Sequence, residues 1–149
     1  MSFDEAIILA IFNGFNDPKY LAEIFRVDLR DVLEKLKLME GKGLIKCRES
    51  RILFFKRFRC NLTEEGFNTA HKVNEELQKR LNELKKSIEP TANPVEREAV
   101  IHNLIQKDIA WLYILPLLIH LNMLPLITIH TLNHYGENDI DLTEDLNDM

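Results

Sequence analysis

The stretch from Asp28 to Gly66 constrains the fold more than any other part of the chain. A helical pattern ends in Gly-Lys-Gly-Leu-Ile, a short basic and aromatic stretch follows, and Leu-Thr-Glu-Glu-Gly then opens another helix. Helices commonly end at glycine and begin at threonine with acids in the first turn. The order helix, hairpin, helix therefore predicts a mainly α protein that carries a small two-stranded β-hairpin.

Capping signals predict three helices before the hairpin. Ser2 with Glu5 three residues later forms a capping box, so helix 1 is predicted over about residues 3–13. Asp17-Pro18 is an N-cap followed by proline at the first helical position and starts helix 2. Asp28 caps helix 3. The inner stripe of helix 3 is Leu29, Val32, Leu36 and Met39.

The hairpin strands are predicted at 44–49 and about 53–62, which places Cys47 opposite Cys60. The chain has only these two cysteines and its first residues are acidic rather than basic and apolar, which indicates a reducing, cytoplasmic compartment. A redox switch between the two thiols is one reading. Free cysteine often behaves as a small core residue, so simple apolar packing of both side chains is favoured.

The hairpin is strongly basic in a protein whose formal net charge is -5. Residues 42–60 hold seven lysines and arginines against one acid, Glu49. Phe54, Phe55 and Phe58 are interspersed among these basic residues. Lysine and arginine meet phosphate, and aromatic rings stack on or wedge between bases. We therefore expect a nucleic-acid partner. The alternative is a solvated edge kept charged to prevent strand-to-strand aggregation.

The segment LAEIFRVDLRDVLEKLKLMEGKGLI resembles the helix-turn-helix of winged-helix regulators of the MarR and PadR type, and the match extends over about residues 3–75. The matching positions are Leu21, Ala22, Glu23, Val27, Val32, Leu36, Met39, Glu40, Gly43, Leu44, Ile45, Leu62, Thr63 and Gly66. The resemblance implies a winged-helix domain over residues 1–75, with helix 3 in the major groove of DNA and the hairpin, or wing, on the backbone.

Two departures from this pattern concern the DNA-reading surface. Arg26 stands in the turn where the families usually carry glycine, and Leu33 and Glu34 stand where serine and arginine are common. Acidic and apolar residues cannot make the bidentate arginine contact to guanine. Arg30 is the candidate for a base contact, and the candidates for phosphate are Lys35, Lys37, Lys46, Arg48, Arg51, Lys56, Arg57 and Arg59.

Residues 63–90 are predicted to form one long helix. Its apolar stripe repeats every three or four residues and consists of Phe67, Ala70, Val73, Leu77, Leu81, Leu84 and Ile88. Such a stripe is typical of a helix that pairs two subunits, and a two-fold dimer would cover a palindrome. Leu77, Leu81, Leu84 and Ile88 are therefore assigned to dimerisation. The alternative is packing against the chain's own C-terminal part.

The C-terminal part changes character. A linker near 91–94 precedes a predicted helical region over 94–136, in which no charged side chain occurs between Ile109 and Gly136. That length could span a bilayer, but Pro116 and Pro125 are expected to break the helix, and buried histidine and asparagine are costly in hydrocarbon. Short helices at a dimer interface, with Trp111 and Leu115 in it, are therefore preferred over membrane insertion. Residues 137–149 form an acidic tail.

No catalytic motif is evident, and neither a cofactor nor a metal site is expected. His130 and His134 are four residues apart, but this pattern alone is weak evidence for zinc because such a site needs three or four converging ligands. The sequence thus predicts no enzyme. It favours a cytoplasmic, prokaryotic or viral, homodimeric winged-helix protein that binds double-stranded DNA and regulates transcription. The alternative is a winged-helix protein-interaction module, associated with a membrane through residues 109–132.

Overall fold

The computed structural model describes residues 1–88 and 93–123, which form six helices and a two-stranded antiparallel hairpin. The chain divides into two compact units, Met1–Ser87 and Ile88–Met149. The elements are α1 (Phe3–Phe12), α2 (Pro18–Phe25), α3 (Leu29–Gly41), β1 (Ile45–Ile52), β2 (Phe55–Leu62), α4 (Glu64–Ile88), α5 (Pro94–Lys107) and α6 (Trp111–His120). The predicted mainly α architecture with a β-hairpin is confirmed.

Helix α1 is the central element of the first unit. All six residues from Ala6 to Ile11 are buried, so the helix is apolar on every side, as expected of a helix enclosed by other elements. The Ser2 hydroxyl accepts a hydrogen bond from the Glu5 backbone N–H at 3.2 Å, which confirms Ser2 as the N-cap, and it lies 3.3 Å from a Glu5 carboxylate oxygen. The edge of the Phe3 ring meets Phe25 of α2 at a centroid distance of 5.4 Å.

Helices α2 and α3 begin at the predicted N-cap residues, Asp17 and Asp28. The Asp17 carboxylate accepts from the Lys19 N–H at 3.0 Å and confirms the start of α2. Asp28 occupies the N-cap of α3, but its side chain makes no capping hydrogen bond. Arg26 has a φ of 52°, a left-handed conformation that glycine adopts more readily than arginine.

A network around Thr63 joins α3, the hairpin and α4. The Thr63 hydroxyl donates to the Gly43 carbonyl at 2.6 Å and accepts from the Gly66 N–H at 3.1 Å, while the Thr63 N–H donates to the Leu44 carbonyl at 3.0 Å. Gly43, with a φ of 76°, ends α3 in the left-handed conformation typical of a helix C-terminus. Three elements therefore converge on one side chain.

The hairpin is more symmetric than the sequence predicts. Each strand has eight residues, and the loop is Leu53-Phe54 rather than the predicted 50–52. The predicted strand bounds leave 50–52 for the turn, but pairing Cys47 with Cys60 already requires a symmetric turn at 53–54. The Cys60 N–H donates outward to the Asn16 carbonyl at 3.2 Å, which ties the base of the hairpin to the loop after α1.

Cys47 and Cys60 lie opposite each other as predicted, with their Cα atoms 4.0 Å apart. The prediction that they are merely two packed thiols is wrong, because the structure joins them in a disulfide. Cys47 and Cys60 form a non-hydrogen-bonded pair of the antiparallel ladder. The Cα atoms of such pairs lie closer together than those of hydrogen-bonded pairs, which brings the two sulfur atoms within bonding distance. The disulfide links the two strands at the base of the hairpin.

Helix α4 packs along the first unit through its N-terminal half. The Phe12 ring of α1 contacts Phe67 and His71, and the chain's terminal ammonium lies 3.3 Å from a Glu76 carboxylate oxygen. The same oxygen accepts from Arg80 Nε at 3.3 Å. The buried stripe of α4 comprises Ala70, Val73, Leu77, Leu81 and Leu84.

In the second unit, α5 begins at Pro94 as predicted, and the Asn93 side chain caps it by accepting from the Val95 N–H at 3.0 Å. Helix α6 continues through Pro116, so the prediction that this proline breaks the helix is wrong. Proline removes one backbone hydrogen bond, whereas Leu115 and Leu117 on either side are fully buried. Among the described helices, none is long and apolar enough to cross a membrane. Pro125 and the acidic tail lie outside the described residues.

Gly66 should tolerate no side chain. A Cβ at this position would collide with the Leu44 carbonyl, so we expect Gly66→Ala to lower the free energy of unfolding by about 1–3 kcal/mol. Gly41→Ala is the matched control, because a methyl group on Gly41 would meet nothing within 4 Å and alanine favours helix by up to about 1 kcal/mol. Urea unfolding followed by circular dichroism measures both. Equal midpoints for the two variants would contradict the close approach at Gly66.

Candidate nucleic-acid interface

The hairpin presents two faces with different chemistry, because successive side chains of a strand point to opposite sides. The strand register assigns each residue to one face. The first face contains Ile45, Cys47, Glu49 and Arg51 opposite Leu62, Cys60, Phe58 and Lys56. The second face contains Lys46, Arg48, Ser50 and Ile52 opposite Asn61, Arg59, Arg57 and Phe55.

Four cations share the second face: Lys46, Arg48, Arg57 and Arg59 are all exposed. Arg48 lies directly opposite Arg59. No acidic side chain of the described residues forms an ion pair with any of the four. Directly opposed like charges destabilise a hairpin, and this face is here called the cationic face.

The first face is partly neutralised. Lys56 Nζ lies 3.5 Å from a Glu49 carboxylate oxygen, and Arg51 lies opposite Lys56 in the register. Glu49 is the one acid in the hairpin sequence, and its position on this face leaves the cationic face without an acid. The predicted phosphate ligands of the hairpin therefore fall into two groups, with Arg51 and Lys56 beside a carboxylate and the other four away from it.

A groove of about 320 Å³ lies between β2 and the starts of α2 and α3. Its walls are Asp17, Pro18, Lys19, Leu29, Leu33 and the strand segment 56–59. Lys19 adds a cation to the strand's own basic residues in this groove. Sequence reasoning missed Lys19 because nothing in its local pattern distinguishes it from any exposed lysine, and only the fold brings it to the hairpin.

Helix α3 offers few cations. Arg30 and Lys37 are exposed, as their predicted role requires, but Lys35 is half-buried and its Nζ lies 3.1 Å from an Asp4 carboxylate oxygen. That ion pair ties α3 to α1. The outer surface also includes Asp31, Glu34, Leu33 and Leu38, all exposed. The structure thus separates Lys35 from the other predicted phosphate ligands.

The residues predicted to form a dimer interface are buried in the single chain. This holds for Leu77, Leu81 and Leu84 in α4 and, in the second unit, for Trp111 and Leu115 in α6. The side chain of Ile88 lies outside the described part. Their assignment to dimerisation stays a prediction.

Among residues 1–88 and 93–123, no three histidine, cysteine, aspartate or glutamate side chains come together as metal ligands would. His130 and His134 fall outside these ranges. His120, which does lie within them, has its Nδ1 2.8 Å from the Pro116 carbonyl.

Two solved structures share the fold of this chain. A double mutant of Lactococcus lactis ZitR in apo form has a TM-score of 0.53 and 21% sequence identity, with 70% of this chain and 76% of that chain covered. A single mutant of the same protein has a TM-score of 0.53 and 20% identity over 70% and 69% of the two chains. No protein-family model and no curated protein sequence matches the chain. The predicted winged-helix fold with a β wing is confirmed.

The opposed arginines should cost stability. We expect Arg59→Gln to raise the free energy of unfolding at low salt by about 0.2–1 kcal/mol, since it removes the like charge opposite Arg48. Lys46→Gln is the control, because Lys46 lies opposite the neutral Asn61 and should change stability little. Urea unfolding at low and high salt measures both, and the gain should shrink as salt screens the charges. A loss of stability in Arg59→Gln would show that this side chain has a structural role.

Proposed function

We propose that this chain binds double-stranded DNA sequence-specifically and regulates transcription as a homodimeric winged-helix protein of the MarR or PadR type. The observation that carries the proposal is the cationic face of the wing, four exposed bases with no acidic partner in the described residues. A duplex displays a dense row of phosphates, and basic side chains that replace its counterions gain affinity. The winged-helix fold shared with ZitR is consistent with this role.

In this proposal the wing supplies most of the affinity and α3 supplies sequence choice. The N-terminal residues of a recognition helix lie nearest the base edges in the major groove, and Arg30 is the second residue of α3. An arginine there can donate two hydrogen bonds to guanine. Lys37 would contact phosphate, whereas the ion pair with Asp4 makes Lys35 the weaker candidate for such a contact.

A dimer follows from the size of the target. One winged helix covers one half-site, and two copies related by a two-fold axis cover a palindrome. We place the dimerisation region in the long helix over 63–90 and the apolar region over 94–136. As a regulator of a prokaryotic or viral genome, the protein would act in the cytoplasm. Sedimentation equilibrium tests the dimer, and a monomer at all concentrations would contradict it.

One observation favours a second function. The exposed Leu33 and Leu38, with Asp31 and Glu34 beside them, suit a protein surface better than a DNA groove. A winged helix with this α3 could serve as a protein-interaction module. The two functions differ in a direct way, because only the first requires affinity for duplex DNA that falls with salt.

Fluorescence anisotropy of a labelled duplex at several salt concentrations tests the wing. Four neutralised phosphates predict a log-log slope of about -4, and Arg57→Ala with Arg59→Ala should make it shallower by about 2. Lys85→Ala with Lys86→Ala is the matched control, since both lysines are exposed on α4 and the change in net charge is the same. Equal effects of the two double variants would remove the wing from the mechanism, and no binding at low salt would overturn DNA binding itself.

Sequence choice is tested separately through α3. Arg30→Ala should weaken binding to a selected site by about 1–3 kcal/mol while leaving affinity for random duplex nearly unchanged, because a base contact and not a phosphate contact is lost. Lys35→Ala should instead lower the free energy of unfolding, since it leaves Asp4 without its ion pair. Selection from a randomised duplex pool, followed by competition binding, provides the measurement. An unchanged preference in Arg30→Ala would contradict its role.

A further inference from the structure

The tip of the wing is apolar and almost fully exposed. Leu53 is 87% exposed and Phe54 is 99% exposed, and their strand neighbours Ile52 and Phe55 are also exposed. Burying one leucine or phenylalanine side chain is worth about 1.5–3 kcal/mol, so the fold forgoes that stabilisation at four successive positions. We propose that this apolar tip is a wedge that enters the minor groove, inserts between base pairs and bends the duplex. The proposal rests on the DNA binding proposed above.

The backbone of the tip supports a role outside folding. Leu53 has a φ of 58°, and left-handed backbone is unfavourable for a leucine. Two-residue hairpin loops normally carry glycine, asparagine or aspartate at such positions. The chain therefore places a large apolar residue where a small or polar one would fold better. Neither turn chemistry nor core packing accounts for Leu53 and Phe54, whereas a partner that buries them does.

The wing is long enough to reach between bases. Six residue steps separate Cys47, at the disulfide, from Leu53, which corresponds to about 20 Å of extended strand. The minor groove is about 7.5 Å deep, so the tip can reach its floor while the base of the wing remains outside. The two-residue loop is the narrowest part of the ribbon, and leucine and phenylalanine are among the side chains that unstack base steps in this way.

The distribution of charge favours DNA over a lipid surface. The cationic face extends from Arg57, near the tip, back to Lys46 and Arg59 at the base. A flat bilayer would meet the tip alone and leave the basal cations in water. A duplex can contact the apolar tip and the basic side chains behind it at the same time.

The test uses a duplex of about 30 base pairs with a dye at each end and 2-aminopurine beside central TA steps, which unstack readily. Energy transfer between the dyes reports bending, 2-aminopurine fluorescence reports unstacking, and anisotropy reports binding. The full-length protein should shorten the end-to-end distance and raise 2-aminopurine fluorescence, with a bend within the 20–90° range of apolar wedges.

The variant Leu53→Gly with Phe54→Ser removes the wedge and suits the left-handed loop. It should bind the duplex with an unchanged salt slope, because the cationic face is intact, but should lose the bend and the 2-aminopurine signal. Tyr20→Ser is the control, since this side chain is also exposed, at 40%, but lies outside the wing, α3 and the proposed dimerisation regions, and it should leave both signals unchanged.

The possible failures are distinct. Duplex binding with no bend and no unstacking by the unaltered protein would overturn the wedge and leave DNA binding in place. No duplex binding at low salt would overturn both. A lipid role would replace the wedge under two conditions. Vesicles of anionic phospholipid would bind the unaltered protein but not the variant Leu53→Gly with Phe54→Ser, and the duplex would stay straight. Self-association that the same variant abolishes, again with a straight duplex, would assign the tip to contact between copies of the chain.

Discussion

The hydroxyl of Thr63 is the contact on which the geometry of the first unit depends. It donates to the Gly43 carbonyl, just after the end of α3, and caps α4 by accepting from the Gly66 N–H. The backbone of the same residue continues the hairpin ladder to Leu44. Thr63 therefore helps to set the direction of the wing relative to α3, together with the bond between Cys60 and Asn16. Both predicted DNA-contacting elements, α3 and the wing, leave from the region around Thr63, so their relative placement depends on its side chain, on the glycines beside it and on that bond.

Local signals explain how much of this fold could be predicted from the sequence. The starts of α1, α2 and α5 depend on hydrogen bonds between residues two or three positions apart, and the sequence predicts all three correctly. The predicted strand bounds place the hairpin turn at 50–52, which is too early, because the observed turn at 53–54 is set by strand pairing. Helix α6 does not stop at Pro116, because the burial of its neighbours outweighs one missing hydrogen bond.

The candidate site was predictable only in its composition. The excess of basic residues between 42 and 60 identifies the wing, but it does not show which of these residues share a face. That division depends on the strand register, which separates Lys56, paired with Glu49, from the four basic residues of the cationic face. The contribution of Lys19 to the groove and the engagement of Lys35 by Asp4 both join residues distant in sequence. Such contacts leave no periodic signal in a single sequence.

The symmetric register of the wing also restricts how its length can change during evolution. Paired residues have numbers that sum to 107, and the two-residue loop lies at the centre of that symmetry. Deleting one residue from either strand would transfer every side chain beyond it to the opposite face and would scatter the cationic face. Removing one residue from each strand, such as Ile52 together with Phe55, would remove one opposed pair. The basic residues nearer the base of the wing would keep their positions. Insertions and deletions among relatives should therefore occur in opposed pairs.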